Sequence, residues 1–262
     1  MYNFEFEQPG TVADAVAALQ AEDAQALGGG QTLIPTLKQR LASPSTLVSL
    51  KNIAEMQGVC MGDDGSVCIG GATNHATVAA EATAYPALAA TAAHIGDPAV
   101  RNRGTVGGSL ANNDPSACYP AAALGSGATI VTNTREIAAD DYFQGMFTTA
   151  LEEGEIITEV RFPVPEKANY QKFVQPASRF ALVGVYVAKY ADGVRVAITG
   201  ASNDGVFRWA EAEAALTANF SASALDGLSL SGEDMISDLH GTGAYRAHLC
   251  AVMTKRAVGA AA

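Results

Sequence analysis

Residues 95–110 read I-G-D-P-A-V-R-N-R-G-T-V-G-G-S-L, and this stretch limits what the chain can fold into more than any other. Glycine lacks the Cβ that keeps a ligand or a second backbone at a distance, and it tolerates a positive φ. Successive backbone N–H groups in such a turn form a concave anion site. Thr105 and Ser109 bracket the pair Gly107, Gly108 with hydroxyls, and Arg101 and Arg103 bring fixed positive charge. Alone, the stretch suits a phosphate-binding loop and a buried turn between two elements equally well. A second loop, Gly28-Gly29-Gly30-Gln31-Thr32, joins an apolar strand-like run at 24–27 to a helix-like segment at 33–41. It does not meet the G-x-G-x-x-G pattern, and G-x-x-x-x-G-K-[ST] occurs nowhere in the chain. Two such loops fit a dinucleotide pyrophosphate held between two subdomains, and the alternative is a pair of structural turns.

Charge narrows the partners. The formal net charge is −11 and no block of consecutive lysines or arginines occurs, which argues against nucleic acid. An anionic ligand must then rely on local donors rather than on long-range attraction. With 48% hydrophobic and 16% charged residues the chain is a soluble globular type, long enough for two domains or one large one. No apolar run approaches a membrane span; the longest strand-like one covers 181–188. The start M-Y-N-F-E-F lacks a signal-type core, so a cytoplasmic location is expected. Cys60, Cys68, Cys118 and Cys250 form no C-x-x-C pair, and reduced, partly buried thiols are expected rather than a metal site.

Taken in order, 3–7 reads as a strand, and Thr11 as the N-cap of a helix with Val12, Ala15, Val16 and Leu19 at helical spacing. Residues 46–50 form a further strand, which makes a small α/β unit. Two short strands flank the turn 62–65; 71–75 is a polar loop, and an alanine-rich helical region starts at Thr77. A helix covers 86–94, and Asp114-Pro115 signals another helix start. Strands follow at 128–132 and 155–162, with an amphipathic piece at 140–147 between them. The linker candidate is P-V-P-E-K at 163–167. Beyond it, 181–190 and 194–201 form a hairpin, and 209–216 and 244–258 read as helices, the last with Tyr245, Leu249, Val252 and Arg256 on one face.

The motifs also carry a resemblance. L-G-G-G-Q-T-L-I-P at 27–35 resembles the A-G-G-Q-S-L-I-P loop of the FAD-binding medium subunits of molybdenum hydroxylases. V-R-N-R-G-T-V-G-G-S-L at 100–110 resembles their second loop, in the right order and separation. The similarity extends over nearly the whole chain and is of the carbon monoxide dehydrogenase and xanthine dehydrogenase type. It implies an α+β (α/β) chain: a two-subdomain FAD-binding domain like that of vanillyl-alcohol oxidase (PCMH) at 1–166, divided at about 56/57. A C-terminal flavoprotein domain of antiparallel sheet plus helices would follow at 167–262. Gly28, Gly29, Gly30, Gln31, Thr32 and Leu33 would match the first pyrophosphate loop, and Thr105, Gly107, Gly108 and Ser109 the second. Ile157 would pack in the FAD site, and Lys172 would stand near the flavin. Many members carry P-x-x-D after the second loop, and this chain has Cys118 in place of that aspartate.

The chain itself shows no nucleophile–base pair, acidic dyad or metal constellation, so its chemistry would be the cofactor's. The resemblance implies electron transfer: a molybdopterin large subunit oxidises substrate, a 2Fe-2S small subunit relays electrons, and this chain passes them from FAD to an external acceptor. It also implies a dimer of heterotrimers. The alternatives are a free-standing FAD-dependent oxidoreductase of the same fold and a cofactor-free assembly scaffold.

Overall fold

The computed structural model describes residues 1–176 and 178–262. The first unit runs β1 (Glu5–Glu7), α1 (Val12–Ala18), β2 (Ala24–Leu27), α2 (Leu33–Lys38) and β3 (Thr46–Ser49). β1 and β2 flank β3 in parallel, an arrangement that needs crossovers, and α1 and α2 supply them. Thr11 starts α1 as expected, its hydroxyl accepting the Asp14 N–H.

The chain continues through β4 (Val59–Met61), β5 (Val67–Gly70), α3 (His75–Glu81), α4 (Pro86–Ala93), α5 (Pro98–Arg101), α6 (Val106–Asn112) and α7 (Tyr119–Ser126). It then forms β6 (Thr129–Thr132), β7 (Glu136–Ala138), α8 (Ala139–Tyr142), the small pair β8 (Phe143–Gly145) and β9 (Thr148–Thr149), and β10 (Ile157–Phe162). These strands make an antiparallel sheet in the order β4-β5-β10-β6-β7. The last part holds β11 (Lys167–Val174), β12 (Ala181–Tyr190), β13 (Gly193–Ser202), β14 (Gly205–Arg208), α9 (Ala210–Ala218) and α10 (Gly243–Ala260). Its sheet is antiparallel, in the order β11-β12-β13-β14.

β12 explains the unbroken apolar run. Val183, Val185 and Val187 face the core shared with Trp209 and α10, whereas Tyr186 and Ala188 join the core around α7 and β10. A strand covered on both faces has no polar side to alternate with. The core around α7 and β10 thus joins both sides of the predicted linker, from Val160 and Phe162 to Ala168, Tyr170 and Ala197.

Three expectations shift. First, α3 begins at His75, two residues before Thr77, because the Asn74 side chain accepts the Thr77 N–H and caps the helix. Second, Asp114-Pro115 starts no helix: the next one begins at Tyr119. Asp114 instead accepts the Ser116 N–H within a turn. The Thr199 hydroxyl donates to the carbonyls of Pro115 and Ala117 (both 2.8 Å), and the Gly200 N–H donates to that of Pro115. The carbonyls that a helix would use are thereby engaged by β13.

Third, the buried face of α10 runs through Arg246, Leu249, Cys250, Met253 and Ala257, so Tyr245 and Arg256 point outward. The rotation follows from Arg246, which is 2% exposed. Its guanidinium donates to the carbonyls of Leu182 and Gly200 and pairs with both oxygens of Asp238. Replacing Arg246 by methionine leaves those carbonyls unpaired, and an urea-unfolding midpoint corresponding to about 3 kcal/mol lower stability is expected.

Candidate cofactor-binding site

A cavity of about 720 Å³ opens where the three sheets meet. Gly28, Gly29, Gly30, Gln31, Thr32, Leu33, Thr105, Gly107, Gly108, Ser109, Cys118, Ile157 and Lys172 all line it. Residues more than a hundred positions apart are brought together here, from the first loop at 28–33 to Lys172 on β11.

The first loop leaves β2 at Leu27, reverses at Gly30 with φ +71°, and enters α2. Among the described residues, the backbone N–H groups of residues 28–33 find no protein acceptor. Fully buried donors in native chains are nearly all paired, and donors on a partly open wall are left to water or to a ligand. Gly28, Gly29, Gly30 and Leu33 are half-buried in the lining and Gln31 and Thr32 are exposed, which leaves these donors open to water or to an anionic ligand.

The second loop differs. The Thr105 hydroxyl accepts the Gly108 N–H at 3.2 Å and caps α6. Val106 donates to the carbonyl of Thr73, Gly107 to that of Gly71 and Ser109 to that of Thr105. Its backbone donors are therefore engaged internally, and it offers the cavity hydroxyls and surfaces without Cβ. Close packing requires the glycines. A Cβ on Gly29 would overlap the Arg103 carbonyl and Gly104 Cα, and one on Gly107 would lie 2.7 Å from the Gly71 oxygen. Arg101 donates to the carbonyls of Ile95 (3.0 Å) and Gly96 (3.1 Å), bracing the loop from outside the lining.

Three side chains complete the walls. Lys172 on β11 donates to the His94 carbonyl at 2.8 Å, where α4 ends and its dipole favours a cation. Ile157 stands at a register shift between β10 and β6, and its carbonyl abuts Gly71. His75, read from sequence as a loop residue, is buried in the lining with its ring 5.2 Å from Tyr119. Burial and then Arg101 lower its pKa to about 4, so the ring is neutral at pH 7, and Nδ1 has no partner.

Sequence reasoning missed Glu155. Its side chain is 2% exposed and lines the cavity, accepting hydrogen bonds from Thr132, Thr134, Arg135 and the Glu152 N–H. The partners at 132–135 lie some twenty positions away, so no local motif marks it.

A profile of the family described as "FAD binding domain in molybdopterin dehydrogenase" matches residues 2–165. The chain belongs to this family. It is 33% identical to the carbon monoxide dehydrogenase medium chain of Afipia carboxidovorans, over 98% of this chain and 96% of that one. It is equally 33% identical to the nicotine 6-hydroxylase medium subunit of Paenarthrobacter nicotinovorans, over 97% and 95%. Among solved structures, carbon monoxide dehydrogenase from Oligotropha carboxidovorans superposes with a TM-score of 0.89 at 32% identity, covering 98% of this chain and 97% of that one. Quinoline 2-oxidoreductase from Pseudomonas putida 86 gives 0.87 at 28% identity, over 98% and 96%.

The cavity suits the ligand that the family is described by. Unpaired N–H donors provide for a pyrophosphate, and apolar Leu33, Ile95, Ile156 and Ile157 provide for a ring system. Cys118, expected to replace an aspartate, sits 5% exposed, directly before α7. The cavity wall there has a weakly polar thiol instead of a carboxylate.

Glu155 makes the site pH-sensitive. The hydrogen bond from Arg135, the largest cause, helps hold its carboxyl at about 2 against an ordinary 4.5. A depressed pKa stabilises the fold above the unfolded value, and that contribution fades as pH falls from about 5 towards 2. Half-exposed Arg135 weakens the pair, leaving about 2 kcal/mol. Glu155→Gln should therefore lower the thermal midpoint at pH 7, and the gap from wild type should close in melts towards pH 2.

Proposed function

We propose that this chain is the FAD-binding, electron-transferring subunit of a multi-subunit molybdenum hydroxylase. The observation that carries the reading is the row of N–H groups at 28–33, without an acceptor among the described residues, lining one cavity together with the Thr105–Ser109 turn. Bound FAD would supply the chemistry of accepting and releasing electrons one or two at a time. The chain's own residues do the rest. Gly28 to Leu33 neutralise the pyrophosphate through backbone donors, while Thr105 and Ser109 add hydroxyls and Gly107 and Gly108 allow close approach. Ile157 packs on the ligand, and Cys118 borders it. Lys172 brings a fixed positive charge to the same cavity and favours reduced, anionic flavin.

The relatives named as medium chains or medium subunits support a heteromeric assembly for this chain. In our reading a 2Fe-2S small subunit delivers electrons from a molybdopterin large subunit, three chains form a unit, and two units pair. The division into 1–166 and 167–262 belongs to the same reading, as does a cytoplasmic location. No helix among the described residues is long and apolar enough to cross a membrane.

Two variants test this. Gly108→Val, at an exposed position in the lining where a Cβ meets only the Thr105 hydroxyl, should yield folded but colourless protein; flavin absorbance retained at wild-type stoichiometry would overturn the loop assignment. Lys172→Met should keep the flavin but shift its reduction potential to more negative values in a spectroelectrochemical titration. An unchanged potential would remove Lys172 from the site.

A further inference from the structure

Away from the cavity, Cys60 on β4 and Cys68 on β5 stand directly opposite each other. Gly62 donates to Ser66 and Gly70 donates to Gly58, so by the alternation of an antiparallel ladder the pair between them is also a hydrogen-bonded one. Such a pair holds its Cα atoms about 5.5 Å apart, within the span of a disulfide. Opposed side chains leave the same face of the sheet, and Arg161 on β10 is next in that row.

The Cβ atoms of opposed residues lie about 4.5–5.5 Å apart, slightly farther than the roughly 3.5–4.5 Å of a relaxed disulfide. One strand must give. β4 is the edge strand of its sheet and only three residues long. It is bracketed by Gly58, at φ +101° with open space around it, and by Gly62 at the turn. The two thiols also differ in access. Cys60 is exposed and Cys68 is buried, its sulfur 3.6 Å from the Ser66 hydroxyl. Burial, the largest influence on it, raises the Cys68 pKa, so an external oxidant meets Cys60 first.

We propose that Cys60 and Cys68 form a redox dithiol which a small-molecule disulfide of the glutathione type converts to an intrachain disulfide. The Cys60 thiolate attacks one sulfur of the oxidant; that S–S bond breaks, one thiol leaves, and a mixed disulfide forms on Cys60. Cys68 then gives its proton to solvent and attacks the Cys60 sulfur, and the second thiol leaves. The protein loses two electrons and two protons, and the oxidant is reduced to two thiols. A bond closed by displacing an edge strand has a comparatively high potential and reopens readily under reducing conditions.

The test uses the full chain, incubated with oxidised glutathione, acid-quenched, alkylated in denaturant and digested with trypsin without reductant. Peptide 52–101 holds both cysteines and neither Cys118 nor Cys250. It should appear unalkylated and lighter by two hydrogens, and dithiothreitol should restore both thiols. Cys68→Ser should accumulate a glutathione adduct on Cys60, and Cys60→Ser, an exposed change, should leave Cys68 fully alkylatable. Two alkylated cysteines after exposure, a persistent adduct on wild type, or oxidation of Cys68 in Cys60→Ser would each overturn the proposal.

Discussion

The contact on which the site depends is backbone against backbone: Gly29 of the first loop lies on the Arg103–Gly104 peptide of the second. No residue with a Cβ can make it. It joins the parallel β1-β3-β2 unit to the helices that follow β5, with Gly29 and Gly104 both in the cavity lining. The same apposition is repeated at Gly107 against Gly71, where β5 ends. The first of these approaches restrains the first loop at Gly29, and the second restrains the turn at Gly107 that it packs against. A loop restrained in advance loses less freedom on binding.

The third sheet acts at a distance. Arg246 holds the carbonyls of Leu182 and Gly200; Gly200 and Thr199 in turn hold the turn from Pro115 to Ala117, which lines the cavity just before Cys118. Lys172 reaches across from β11 to the end of α4. Both connections cross the position where the P-V-P-E-K segment reads as a linker, and the tyrosine- and alanine-rich core does the same. The wall of the cavity is therefore set partly by a sheet that contributes few lining residues.

Much of this was legible in the chain. Strands 24–27 and 181–190 match the observed elements, and the residues assigned to the two glycine loops meet in one cavity. What was misread shares one cause, which is long-range hydrogen bonding. Asp114-Pro115 has every local mark of a helix start, but β13 takes its carbonyls. His75 reads as a loop residue, but its N–H donates to the Gly104 carbonyl across the fold and Asn74 caps α3 behind it. Tyr245 and Arg256 read as part of one helix face with Leu249, but two buried carbonyls and Asp238 draw Arg246 inside and turn that face outward.

By itself, then, the sequence determined the elements, the two loops and the family, because glycine spacing, apolar periodicity and capping residues act over a few positions. The tertiary structure decided which loop keeps its donors. Among the described residues, nothing pairs those of residues 28–33, while Thr73, Gly71 and Thr105 engage those of residues 106–109. It also decided that Glu155 belongs to the cavity wall and that Cys60 faces Cys68. A free donor, a buried charge and a cross-strand pair are each defined by partners elsewhere in the chain, and only folding brings those partners within reach.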